Sequence, residues 1–224
     1  MTTKTADLRG AALARAVIEQ IKEEVRTVEN LEAEGRNPSY FGSRVRPDVV
    51  TWDQGVWGLV DPAVATGTAT LEVIEYDSEG DYVEVAFPEP TCGTAMCAAG
   101  HAVVMTGGRL VADVSEWITS EGFASVIDRG EGAQLSVRSF DFERGDRVDV
   151  DDVVFIDEQG ERQRQRIRTR AAELLGLTEA EAEEFFSARN DLTTLERYVG
   201  RMERGENIIN GLPKRTTDIE ENDR

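Results

Sequence analysis

The sequence predicts an α+β fold in which a helical core carries antiparallel β-hairpins inserted on one side. Three observations point there. Apolar residues recur every three or four positions over residues 7–34, two β-favouring runs flank a turn near residue 80, and helix-capping signals return after residue 160.

The first helix is expected from Asp7 to about Glu34, with Leu13, Val17, Ile21, Val25, Val28 and Leu31 on one face. Glu19, Lys22, Glu23, Arg26 and Glu29 take the other, and Gly35 with Asn37-Pro38 ends the helix. Residues Ser39 to Pro62 combine turn formers with Tyr40, Phe41, Trp52 and Trp57, which reads as an ordered loop. Thr70 to Tyr76 and Tyr82 to Phe87 flank Asp77 to Asp81 as a hairpin, stopped by Pro88 and Pro90. Thr91 to Thr106 reads as a short, nearly all-apolar central helix closed by Gly107-Gly108. Val114 to Phe123 is weakly helical, and Ala133 to Phe142 and Asp146 to Ile156 read as strands before the turn at Asp157 to Gly160. A helix from Glu161 to Leu175, capped by Gly176, leads to a capping box of Thr178 and Glu181 opening Glu179 to Ser187, and then to a last helix, Leu192 to Arg204. Residues 1–204 are thus expected to form a single α+β domain with β-rich insertions at about 66–88 and 133–157. The polar residues 205–224 are expected to be a disordered tail.

Composition narrows the function classes. The 224 residues carry 44 acidic against 25 basic side chains, a net charge of −19. Such a field opposes direct contact with nucleic acid or an anionic membrane and suits a basic partner surface. No apolar run reaches the roughly 20 residues that span a bilayer, and the first ten residues show no signal-peptide core, so a cytoplasmic protein is expected. Two cysteines are too few for a disulfide framework. No phosphate-binding loop, dinucleotide fingerprint, HExxH helix or GxSxG elbow occurs.

Cys92, Cys97 and His101, the only histidine, fall within ten positions. Three readings stay open. Thiolates and imidazole suit zinc, with Asp53 or another carboxylate completing a tetrahedron, although structural zinc sites ordinarily draw four Cys or His ligands. A Cys–His pair could serve as a nucleophile, the imidazole lowering the thiol pKa. The third reading, which we favour, is packing: Ala98, Ala99, Gly100 and Ala102 allow close helix approach, and His101 is a satisfied interior residue. A Cys92–Cys97 disulfide is disfavoured, because five helical residues advance the chain by about 7.5 Å.

Two further sets of residues are candidates for a ligand or partner surface. Arg162, Arg166 and Arg170 would line one face of the helix expected there, for phosphate or nucleic acid. Pairing with the surplus carboxylates of the chain is the simpler use. Trp52 and Trp57, with Asp53 between them, could stack on a ligand or cover a core edge.

The blocks Trp52-Asp53-Gln54-Gly55, Trp57-Gly58, Cys92-Gly93-Thr94, Cys97, Ala99-Gly100-His101-Ala102 and Ala171 to Thr178, with Glu181-Ala182 and Phe185-Phe186, resemble a family of small proteins of actinobacteria and their bacteriophages. The blocks cover about a third of the chain, and the two β-rich segments depart from the pattern as insertions. The resemblance carries no activity, cofactor or catalytic residue over to this chain. The expectation is a non-enzymatic, acidic accessory protein, phage-encoded or phage-derived, that works in the cytoplasm through a protein partner or self-association. The alternatives are a small zinc- or thiol-dependent enzyme at Cys92, Cys97 and His101, or an acidic mimic of DNA.

Overall fold

The computed structural model describes residues 7–35, 50–60, 70–79, 81–87, 94–143 and 146–214. In chain order its elements are α1 (Gly10–Ala33), β1 (Val50–Trp52), β2 (Gly58–Val60), β3 (Thr70–Tyr76), β4 (Val83–Ala86), β5 (Thr94–Met96), α2 (Ala98–Met105), β6 (Arg109–Asp113), α3 (Ser120–Arg129), β7 (Gln134–Ser136), β8 (Val148–Asp149), β9 (Asp152–Ile156), β10 (Arg162–Arg166), α4 (Ile167–Leu175), α5 (Glu179–Phe185) and α6 (Leu192–Glu203). The fold is α+β with a long N-terminal helix, as the sequence predicts.

The apolar stripe of α1 does the expected work over its first two-thirds. Leu13, Val17 and Ile21 are fully buried together with Ala14 and Ile18, against α2, α4, α6 and β1. Burying such side chains contributes about 1.5–3 kcal/mol each. The charged side of α1 is partly tied down, Arg15 to Glu203 and Lys22 to Glu196, both on α6.

Two sheets flank these helices. A four-stranded sheet runs β1-β5-β2-β8, with β1 and β5 parallel, and a six-stranded antiparallel sheet runs β10-β9-β6-β4-β3-β7. The expected hairpin is β3–β4. Strand β6, which the sequence did not mark, joins it to β9 and β10, so strands of both β-rich segments share one sheet, while β8 joins the other. Leu71, Val73, Val83, Val85, Leu110, Val153 and Phe155 give that sheet an inner face continuous with the helical core. On the outer face Ala86, Val111 and Val154 form a small apolar cluster of their own.

Six expectations need correction. Part of the segment read as a loop, Ser39 to Pro62, forms β1 and β2, and residues 39–49 lie outside the described ones. The central helix starts at Ala98 and not near Thr91, because Thr94 to Met96 pairs between β1 and β2; tertiary pairing here overrides local preference. Only Gln134–Ser136 of the strand expected at Ala133 to Phe142 is extended, a 3₁₀ turn at Val137–Ser139 following, and the Asp146 to Ile156 run divides into β8 and β9.

The helix expected from Glu161 is a strand as far as Arg166. Its Arg-Gln-Arg-Gln-Arg alternation has the period of two that a pleated strand requires, and a turn at Asp157, whose side chain accepts from the Gln159 and Glu161 N–H groups, folds it onto β9. Finally, residues 205–214 are ordered. Ile208 is fully buried, Glu206 bridges to Pro213, and Lys214 reaches Glu181 at 3.0 Å. Polar composition hid this single apolar anchor. Residues 215–224 lie outside the described ones.

Candidate functional site

The start of α2 is held by the loop that precedes β2. The Asp53 carboxylate accepts from the Gly55 N–H at 2.8 Å, closing a turn that places Gln54 in the interior. The Gln54 Oε1 accepts from the Ala98 N–H and from the Trp52 indole N–H, both at 3.2 Å, and its amide donates to the Phe185 carbonyl. Gln54 thus caps α2 from across the chain, a role the N-cap residue Cys97 leaves open. Gly100 is required here, since a Cβ would stand 2.4 Å from the Trp57 carbonyl oxygen. Trp57 itself packs edge-to-face on Phe186.

Cys97 is buried, and its Sγ lies 4.0 Å from the Trp57 carbonyl. Burial pushes this thiol up to about 11, against the pull of the Gly100 and Ala99 N–H groups. A nucleophilic cysteine requires the opposite shift.

His101 is also in the core. Its Nδ1 lies 2.9 Å from the Cys97 carbonyl oxygen, which can only accept, so Nδ1 carries hydrogen. Its Nε2 faces both Glu24 carboxyl oxygens at 2.9 and 3.0 Å, with one proton held between ring and carboxyl. Gln20 donates to the same carboxyl. Both ring nitrogens therefore serve the fold, locking α2 to α1. The sequence reading missed Glu24, one glutamate among many on a charged helix, and periodicity offers no signal for it beyond its place one turn past the buried Ile21.

For the zinc reading, Cys97 is the extended N-cap residue of α2 and His101 lies within the helix, while Cys92 lies outside the described residues. Among the described residues no three His, Cys, Asp or Glu side chains are grouped to hold a metal ion. Coordination by His101 would require Nε2 to leave Glu24.

The arginines occupy different surroundings from those expected. Arg162, Arg164 and Arg166 point from the outer face of β10, whereas Arg170 lies on α4 together with Arg168, its guanidinium 3.8 Å above the Phe155 ring. Arg164 grips Glu84 through two hydrogen bonds of 2.5 and 2.7 Å and Asp152 through a third of 2.7 Å. Glu72 is shared by Arg109 and Arg162. Burial pushes the Glu72 carboxyl up, but the two guanidinium groups outweigh it and hold it below the usual range. These side chains lie over the Ala86, Val111 and Val154 cluster as a lattice of ion pairs across five strands.

The lattice loosens at the end of β10. Arg166 is two-thirds exposed and reaches Asp151 and Asp152 only at 3.3–3.4 Å, and Arg168 makes no ion pair among the described residues. Trp57, Asp151, Arg166, Arg168 and Thr169 line an open cleft of about 310 Å³ at this point. The cleft joins two of the sequence-predicted surface residues, Trp57 and Arg166. Trp52, Asp53, Arg162 and Arg170 are outside its lining; Arg168 belongs to the basic cluster of the sequence but not to the face expected of it, and Thr169 and Asp151 were not singled out. No protein-family model, curated protein or solved structure matches the chain. No helix among the described residues is long and apolar enough to cross a membrane.

Proposed function

We propose that this is a non-enzymatic binding protein that acts by docking a protein partner, and that the Trp57–Arg166–Arg168 cleft is where the partner is recognised. The observation that carries the reading is the cleft itself. The Trp57 ring and the Arg168 guanidinium, which has no acid partner among the described residues, share a concave surface, the pairing over-represented where proteins contact one another. The cationic lining selects an acidic group on the partner. Two reactive groups among the described residues support the same reading: Cys97 is buried and held protonated, and both nitrogens of His101 are committed to structure. The resemblance of the Trp, Cys/His and C-terminal blocks to phage-associated proteins is the support for an accessory role, phage-encoded or phage-derived.

Selection from a random peptide library on the immobilised protein tests the proposal. Enriched peptides should be acidic, and Arg168→Glu should weaken them at least about tenfold, the effect of reversing one close charge contact. Peptides that bind the variant as well as the wild type would remove the cleft from the account.

A further inference from the structure

We infer that the partner contributes an extended acidic segment that adds to the free edge of β10 and runs into the cleft; this rests on the cleft reading and specifies its occupant. Strand β10 is the outermost strand of the six-stranded sheet. Its hydrogen-bonding phase follows from the two ends of the β9–β10 ladder, where the Asp157 N–H donates to Glu161 and the Ile167 N–H donates to Asp151. With the observed register, Gln163 and Gln165 bond to β9, and Arg162, Arg164 and Arg166 direct their N–H groups outward. Among the described residues no group accepts from those three N–H groups. An edge of this kind offers a ready ladder to another extended chain.

Charge selects that chain. The outward side chains of β10 are all arginine, and the carboxylates that pair with them lie on interior strands β3, β4 and β9. A second β10 is a poor occupant, because strand pairing would set arginine opposite arginine. A segment with a carboxylate at every second residue would place each one beside an arginine. The hairpin end of β10 carries Asp157, Glu158 and Glu161, which repel such a segment, so its acidic residues belong at the other end, beside Arg164, Arg166 and the Arg168 of the cleft.

Position 166 permits a clean test. Its φ of −61° already matches a proline ring, its N–H is one of the outward three, and its side chain makes only long ion pairs. Arg166→Pro removes charge and edge donor together; Arg166→Ala removes charge and keeps the donor. With a seven-residue peptide alternating glutamate and valine as the calorimetric probe, Arg166→Ala should weaken binding a few-fold and Arg166→Pro about tenfold further. In the wild-type complex, the Arg164 and Arg166 amides should exchange hydrogen more slowly than in the free protein. Equal binding by the Ala and Pro variants, unchanged exchange at these amides, or no binding of the peptide to wild type would overturn the inference. The cleft reading has its own readout, because library peptides sensitive to Arg168→Glu would retain it even when the edge is shown to be unused.

Discussion

His101 is the residue where a chemical reading and a structural reading of the sequence part company. A lone histidine beside a cysteine suggests a ligand or a base. Its ring is instead the bolt between α1 and α2, fixed by the Cys97 carbonyl on one side and Glu24 on the other. Removing one partner of a buried, hydrogen-bonded pair strands the other without water, which costs about 3 kcal/mol or more. Glu24→Leu and His101→Leu should therefore each lower the unfolding free energy by that amount. The double variant should cost clearly less than the sum, since it leaves no orphan. Urea titration of the three variants measures the coupling, and additive losses would show that the two side chains do not act as a pair.

At the scale of elements, local capping chemistry was legible and pairing partners were not. Thr178 and Glu181 sit three residues apart ahead of an apolar run, and the capping box is present with both reciprocal bonds. Gly176 adopts the left-handed conformation its position after Leu175 requires. The stripe of α1 and the β3–β4 hairpin were also legible, because each is written in a period of 3.6 or 2. By contrast β5 and β6 depend on neighbours distant in sequence, and the straight-chain arginines and glutamines of β10 suit a helix as readily as a strand. The site shared this limit: Trp57 and Arg166 were visible as residue types, but their meeting with Arg168 follows from β10 ending where α4 begins. Glu181 carries a second role that its motif does not announce, receiving the Ile208 N–H and the Lys214 ammonium. Burial pushes its carboxyl up, yet the Thr178 N–H, Lys214 and Ile208 together hold it below its ordinary 4.5. A carboxyl depressed in the folded state stabilises fully above its unfolded value and loses that contribution as pH falls through the folded one. At pH 7 Glu181→Gln should cost about 2 kcal/mol, and the gap to wild type should close as pH drops below 4.5. A gap in melting temperature that stays constant over that range would contradict the assignment.

Over the whole molecule, a strongly acidic chain has gathered a row of its arginines on one sheet face and neutralised most of them. The remaining cationic character is concentrated where the lattice runs out, at Arg166 and Arg168 beside Trp57. A net charge of −19 would by itself repel an acidic partner at long range. Binding at the cleft is therefore a short-range event, made by a guanidinium and an aromatic ring after close approach, and raised salt should hinder it less than it would a sterically open basic patch. The most direct measurement is a hydrogen–deuterium exchange footprint of the 224-residue chain with a library-selected peptide bound. The account predicts slowed exchange confined to the Trp57 loop, Asp151 and residues 162–169. Protection of α3 or of residues 205–214, with the cleft unchanged, would contradict it.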